Sequence, residues 1–162
     1  MSDSHGSTAN FSRALEREKD CPFVLFLGDG ADDFEKMRLR FPEKTFIGVK
    51  GNNDYFSTLE EFAYKYIEGN TLILCHGHTV GVKRSLYPLL EKAQGVRANV
   101  ALYGHTHRSD VFYDSYAGIY AINPGALFNG NYAVLTLSKN GVDVDLITRN
   151  REHVDALNES GA

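Results

Sequence analysis

Short apolar runs alternate with polar clusters along the chain, and this alternation predicts a mixed α/β protein. Four runs, FVLFL, TFIGV, TLILC and NVALY, have the length and composition of buried strands. Amphipathic spacing with capping or breaking residues at the ends predicts helices over 7–20, 32–40 and 83–94. Residues 62–67 and 71–75 predict a hairpin, and alternating segments after residue 110 predict further antiparallel strands.

Each of the four apolar runs ends in a short polar cluster that could carry chemistry. The clusters are GDG at 28–30, GNND at 51–54, HGH at 76–78 and GHTH at 104–107. Ligands of open α/β sheets bind beyond the carboxyl ends of the strands, so these four clusters can converge on one crevice. Asp3-Ser4-His5 adds a fifth cluster, and five of the six histidines lie in this set.

Any one of these clusters alone is most often a turn with incidental histidines. The ordered set Asp-x-His, Asp, Asn, His, His-x-His is different, because no turn requirement produces it. Carboxylate, amide and imidazole groups in these numbers suffice to hold two divalent ions. The set therefore predicts a metal centre at the carboxyl ends of the strands.

Composition narrows the class of protein without naming an activity. The 162 residues, with 43% hydrophobic and 23% charged content, are ordinary for one globular domain. A net charge of -4 argues against non-specific nucleic-acid binding, which needs clustered cations. The first residues resemble no signal peptide, no apolar run reaches the length of a membrane span, and two cysteines are too few for a disulfide framework. We therefore expect a reduced, cytoplasmic protein.

Together the five clusters resemble the ordered motifs of the calcineurin-like metallophosphoesterases. The form is similar to the small single-domain bacterial and archaeal phosphodiesterases of that superfamily, and the resemblance covers residues 2–145, including the Asn-Pro-Gly turn at 123–125. It implies a four-layer α-β-β-α sandwich of two mixed β-sheets flanked by helices, spanning residues 1–150 and followed by a polar tail at 151–162. It also implies an enzyme that hydrolyses a small phosphodiester with a metal-bridging hydroxide.

The resemblance further implies which residues hold the cofactors. These would be two divalent transition metal ions, with manganese favoured over zinc, iron, nickel or cobalt. Asp29 would bridge the two ions. The first metal would be held by Asp3, His5, Asp29 and His107, and the second by Asp29, Asn52, His76 and His105.

One position departs from the large phosphatases of the superfamily. They have a histidine after the ligand asparagine that helps to protonate the leaving oxygen, whereas this chain has Asn53. General acid catalysis typically contributes about 10² to 10⁴-fold, so another group should take this role. We expect His78 to be that catalytic acid, with Asp54 orienting a neighbouring group. A purely structural role for His78, in support of the ligands, is the alternative.

Two other functions are compatible with the same fold. A eukaryotic retromer subunit combines this fold with an altered metal site and acts as a scaffold, so the fold alone does not establish hydrolysis. No ligand position is substituted in this chain, which favours an enzyme. A metal-dependent monophosphatase that acts on a small phosphate ester is the third possibility.

The first cluster has no apolar strand before it, unlike the other four. Family members have a strand immediately before Asp-x-His, in the middle of a sheet. We therefore expect the natural chain to start several residues upstream of Met1, with an apolar stretch. Without such a stretch, Asp3 and His5 would lie on a mobile end, and the first metal site would be weak.

Overall fold

The structure is a computed structural model that describes residues 1–149, and it confirms the predicted mixture of helices and strands. The predicted polar tail at 151–162 lies outside the described residues. No helix among residues 1–149 has the length and apolar character needed to cross a bilayer. In chain order the elements are α1 (Thr8–Arg17), β1 (Phe23–Phe26), α2 (Ala31–Arg40), β2 (Thr45–Gly48), β3 (Phe62–Ile67), β4 (Asn70–Cys75), α3 (Tyr87–Gly95), β5 (Val100–Leu102), β6 (Ser109–Asp114), β7 (Ile119–Pro124), a 3-10 helix (Leu127–Asn129), β8 (Tyr132–Ser138) and β9 (Gly141–Ile147).

Helix α3 begins later than the predicted 83–94. Arg84 and Ser85 donate backbone hydrogen bonds to Gly81, so this stretch is a turn instead of a helix. Pro88 lies in the first turn of α3, where a missing N–H costs nothing because that group has no helical partner. The proline therefore places the helix start after the turn.

The strands form one large sheet and a second, divided layer. The large sheet has the order β3-β4-β5-β7-β6; its three inner strands are mutually parallel and its two edge strands are antiparallel to their neighbours. The second layer consists of the parallel pair β1-β2 and the antiparallel pair β8-β9. The α/β sandwich is thus confirmed, but its second sheet is split into two pairs in the described chain.

Three apolar cores join four layers. Phe11, Phe26 and Phe34 stack between helices α1 and α2 and the β1 side of the second layer. Along β4, Leu72 and Leu74 face the second layer, whereas Ile73 and Cys75 face α3 on the opposite side of the large sheet. Each fully buried side chain of this size contributes about 1.5–3 kcal/mol, so these cores hold the strand ends in fixed positions.

The first residues of the chain are tied into the second layer, contrary to the expectation of a mobile end. The amino group of Met1 donates to the Leu25 carbonyl at 2.8 Å, and the Leu27 N–H donates to the Met1 carbonyl at 2.9 Å. On the other side, the Leu127 N–H donates to the Ser2 carbonyl at 2.8 Å. Ser2 and Asp3 are fully buried. The segment Met1–Asp3 therefore has backbone partners on both sides.

An apolar groove of about 600 Å³, lined in part by Met1, separates the β1-β2 pair from the β8-β9 pair of the second layer. Strands β1 and β8 form its walls, and Leu102 and Ile122 of the large sheet contribute to its floor. Burial lowers the pKa of the Met1 amino group to about 5. In the described chain no strand joins β1 to β8, and Met1–Asp3 connect the β1 side to the 3-10 helix that precedes β8.

Candidate metal centre

The five polar clusters meet at one end of the sandwich, as expected from the carboxyl ends of β1, β2, β4 and β5. The Nε2 atom of His107 lies 3.1 Å from Oδ1 of Asp3, and Nε2 of His76 lies 3.4 Å from Oδ2 of Asp29. Residues far apart in the sequence thus bring carboxylate and imidazole groups to a single centre.

Two overlapping groups of side chains have ligand atoms close enough to share a cation. The first consists of Asp3, His5 and His107, and the second of Asp3, Asp29 and His76; within each group the ligand atoms lie within 4.8 Å of one another. Oδ1 of Asp3 is buried and forms no hydrogen bond within residues 1–149. A buried carboxylate oxygen without a donor is costly, and a divalent cation would satisfy it. The donor set therefore fits the metals that the sequence predicts.

Asn52 and His105 lie beside the second group. Oδ1 of Asn52 is 3.1 Å from Nε2 of His76. The ring of His105 lies 5.0 Å from that of His76 between centroids, and its backbone N–H donates to Asp3 Oδ2 at 3.1 Å. The seven predicted ligands are thus neighbours, although their division between two metals stays a prediction.

Asp29, the predicted bridge, contacts histidines of both groups. Its Oδ2 atom lies 3.8 Å from Nε2 of His5 and 3.4 Å from Nε2 of His76, so it contacts a histidine of each group. Burial alone would raise the pKa of Asp29, but hydrogen bonds from His76 and Asn53 outweigh burial and hold that pKa well below its usual range. The carboxylate is therefore ionised at neutral pH.

Two histidines of the centre have pKa values shifted in opposite directions. Burial lowers the pKa of His76, but its hydrogen bond to Asp29 and the charges of Asp3 and Asp29 raise it overall. Burial, reinforced by the nearby His76 and Lys83, lowers the pKa of His105 to about 4. A neutral imidazole is the form that binds a metal, so His105 is ready to bind at pH 7.

Left-handed backbone conformations mark the centre. Seven non-glycine residues of the described chain have positive φ, and five of them are predicted ligands: Asp3, His5, Asp29, His105 and His107, with φ between 44° and 68°. Such residues are uncommon, cost about 1–3 kcal/mol each where strained, and cluster at functional sites. The surrounding structure must therefore hold these turns in place.

Two motif glycines allow the ligand loops to approach closely. A Cβ at Gly51 would overlap the carboxylate of Asp29, and a Cβ at Gly104 would overlap Ser2 and the carboxylate of Asp3. Any other residue would displace a predicted ligand. These glycines are therefore part of the centre.

Asp54, predicted to orient a catalytic neighbour, binds backbone instead of side chains. Its carboxylate accepts hydrogen bonds from the backbone N–H groups of Asp29, Gly30, Ala31 and Gly51 at 2.8–2.9 Å. It therefore fixes the loop that carries Asp29 and places a negative charge at the N-terminus of α2, where the helix dipole favours one. This geometry points to a positioning role.

His78, the predicted catalytic acid, lies at the edge of the centre. Its ring centroid is 5.5 Å from that of His76 and 6.2 Å from that of His105. Its Nδ1 atom is buried and has no hydrogen-bond partner in the described chain. Burial, followed by the charge of His76, lowers the pKa of His78.

Three residues that the sequence analysis did not assign to the centre hold its ligands. Asn53 donates from its backbone N–H and its side-chain amide to the two oxygens of Asp29, at 2.9 and 2.7 Å. Asp33 on α2 accepts from Ser4 Oγ at 2.6 Å and from the Gly6 N–H at 2.8 Å. Phe128 packs on two of the histidines. Of the three, only Asn53 lies within a motif, so the other two have no local signal.

Residues 1–140 match the model of the calcineurin-like phosphoesterase superfamily domain. The chain belongs to this superfamily. Its members depend on divalent metals, in agreement with the ligand groups described above. The probable metallophosphoesterase YsnB of Bacillus subtilis is 27% identical over 154 residues, which cover 89% of this chain and 86% of that protein.

Solved structures share the fold of this superfamily member. A predicted phosphoesterase of Streptococcus pneumoniae matches with a TM-score of 0.76 and 24% identity, over 93% of this chain and 87% of its own. Vps29 of Chaetomium thermophilum matches with a TM-score of 0.70 and 18% identity, over 91% and 93%. A novel archaeal phosphodiesterase matches with a TM-score of 0.67 and 22% identity, over 91% and 96%. At these identities the matches establish the fold.

Proposed function

We propose that this chain is a phosphodiesterase that works with two divalent transition metal ions, manganese among them. The observation that supports this most strongly concerns Oδ1 of Asp3, which is buried and has no hydrogen-bond donor in the described chain. It lies 3.1–4.0 Å from Nε2 of three histidines, His5, His76 and His107. Two buried carboxylates this close together are stabilised by a bound cation. Groups arranged in this way are typical of functional sites, which favours an enzyme.

The side chains of the centre have separate tasks in this proposal. Asp3, His5, Asp29 and His107 would hold one ion, and Asp29, Asn52, His76 and His105 the other. When bound, a pair of such ions lowers the pKa of water and neutralises charge on the phosphoryl oxygens. Asp54 and Asn53 keep Asp29 in place, which preserves the spacing between the two groups of ligands. The chain's own contribution is thus a rigid, negatively charged cradle.

The diester preference is the finer part of the proposal. It rests on the motif resemblance to small phosphodiesterases, and the likeness to an archaeal phosphodiesterase supports it. Protein reconstituted with Mn²⁺ should hydrolyse bis-p-nitrophenyl phosphate with a higher kcat/KM than p-nitrophenyl phosphate. The opposite ratio would identify a monophosphatase. If neither ester reacts faster than in a chelated control, a non-catalytic scaffold is the better account.

Substitution His78→Gln tests the leaving-group role. A ring that protonates the leaving oxygen matters most when that oxygen is strongly basic. We expect His78→Gln to slow hydrolysis of a diester with an alkyl leaving group by about 10²-fold, and of bis-p-nitrophenyl phosphate by much less. Steady-state rates on both substrates give the comparison. Equal losses on the two substrates would instead assign His78 a structural role beside His76 and His105.

A further inference from the structure

Phe128 contacts two of the candidate ligands through their rings. Its ring centroid lies 5.5 Å from that of His5 and 5.3 Å from that of His107, and both pairs are edge-to-face. The two histidines are also edge-to-face with each other, at 5.4 Å. Edge-to-face pairs at these distances are attractive beyond the area that they bury. The three rings thus form one packed unit at the outer side of the centre.

The rings of these two histidines are not fixed by a protein hydrogen bond at Nδ1 in the described chain. A ligand histidine almost always donates its second ring N–H to a carboxylate, a carbonyl or water. His76 follows this rule, because its Nδ1 donates to the Leu27 carbonyl at 2.8 Å. Within residues 1–149 neither His5 nor His107 has a protein acceptor for Nδ1, and their side chains are 33% and 42% exposed. Packing must therefore orient these rings.

The backbone of Phe128 is fixed from two directions. Its N–H donates to the carbonyl of Asp3 at 3.1 Å, so it is tied to the segment that supplies two ligands. Its own carbonyl accepts from Nδ2 of Asn10, on α1, at 3.0 Å. A residue held in this way presents its ring at a defined place, although 39% of the residue is exposed.

We propose that Phe128 is a positioning residue that holds His5 and His107 in the orientation needed to bind the first metal. The inference rests on the metal centre proposed above, but not on its catalytic activity. Phe128 acts through the two rings and contacts neither Asp29 nor His76. Removal of its ring should therefore weaken the binding of the first metal ion and leave the binding of the second unchanged.

The variant Phe128→Ala tests this role by metal titration. Loss of such indirect support typically costs about 10–100-fold in metal affinity. In calorimetric titration of the full chain with Mn²⁺, we expect the affinity at one of the two metal sites to fall about 10-fold. The affinity at the other site should stay unchanged. Phe128→Tyr, which retains the ring, should restore the wild-type titration. Phe112→Ala, at a 43% exposed phenylalanine on β6, is the matched control and should change nothing.

Ring dynamics in the metal-free protein give a second readout. NMR order parameters of the ring C–H bonds should fall at His5 and His107 in Phe128→Ala, while those at His76 should stay unchanged. If Phe128→Ala leaves both Mn²⁺ affinities unchanged, or leaves the order parameters of both His5 and His107 unchanged, Phe128 does not have the proposed role. An equal loss at both metals with a lowered Tm would also overturn it in favour of general stability. If the wild-type protein binds no metal, the proposed function fails, and the order parameters alone decide the role of Phe128.

Discussion

Asp29→Asn should reduce the turnover of a phosphodiester by about 10³-fold or more while the protein stays folded. The carboxylate contacts a histidine of each ligand group and is the proposed ligand of both metals, so its change should affect both. Metal ions contribute several kcal/mol of charge stabilisation, and each 1.36 kcal/mol is about tenfold in rate. An amide has one neutral oxygen and cannot bridge two cations. Steady-state kinetics with saturating Mn²⁺ measures the loss, and circular dichroism checks the fold.

Asp32→Asn is the matched control for this substitution. Asp32 lies on the first turn of α2, close in sequence to Asp29, but its side chain is exposed. This substitution removes the same single negative charge. We expect turnover to stay within about twofold of the wild-type value, because surface substitutions of this kind have small effects. Full activity in Asp29→Asn, or an equal loss in Asp32→Asn, would place the reaction elsewhere.

Asp54→Ala should lower the free energy of unfolding by about 2–3 kcal/mol. The Asp54 carboxylate accepts four backbone hydrogen bonds, and its removal leaves those N–H groups without an acceptor. The residue is partly exposed, so water replaces some of these bonds and limits the loss. Urea unfolding of the metal-free protein gives the value directly.

Asp114→Ala provides the comparison for Asp54. Asp114 accepts two backbone hydrogen bonds, from Tyr116 at 2.9 Å and Ala117 at 3.1 Å, in the turn between β6 and β7, which contains none of the predicted ligands. We expect a loss of only about 1 kcal/mol there. If the two variants unfold at the same urea concentration, Asp54 does not have the positioning role that its contacts indicate.

The sequence predicts the layers and the ligand clusters because both depend on local patterns. An apolar run such as TLILC specifies a buried strand, and β4 occupies Asn70–Cys75. The polar residues that follow each run then meet at one end, since parallel strands share that end. The start of α3 differed from the prediction because a turn at Gly81 competes with the helical pattern.

The contacts that hold the centre could not be predicted, because they join distant parts of the chain. Asp33 supports the turn at Ser4 from α2, and Phe128 reaches His5 from a 3-10 helix more than a hundred residues away. Neither position carries a local pattern. The secure placement of Asp3 likewise depends on pairing with Gly28 and Phe128, which only the folded chain brings together.

Metal content measured together with diester hydrolysis tests the central claim most directly. Purified chain is stripped with a chelator, reconstituted with Mn²⁺, freed of excess metal, and analysed for metal per chain and for hydrolysis of bis-p-nitrophenyl phosphate. The proposed centre predicts two ions per chain and activity that returns with the metal. Less than one ion per chain, with hydrolysis no faster than in the chelated control, would contradict it.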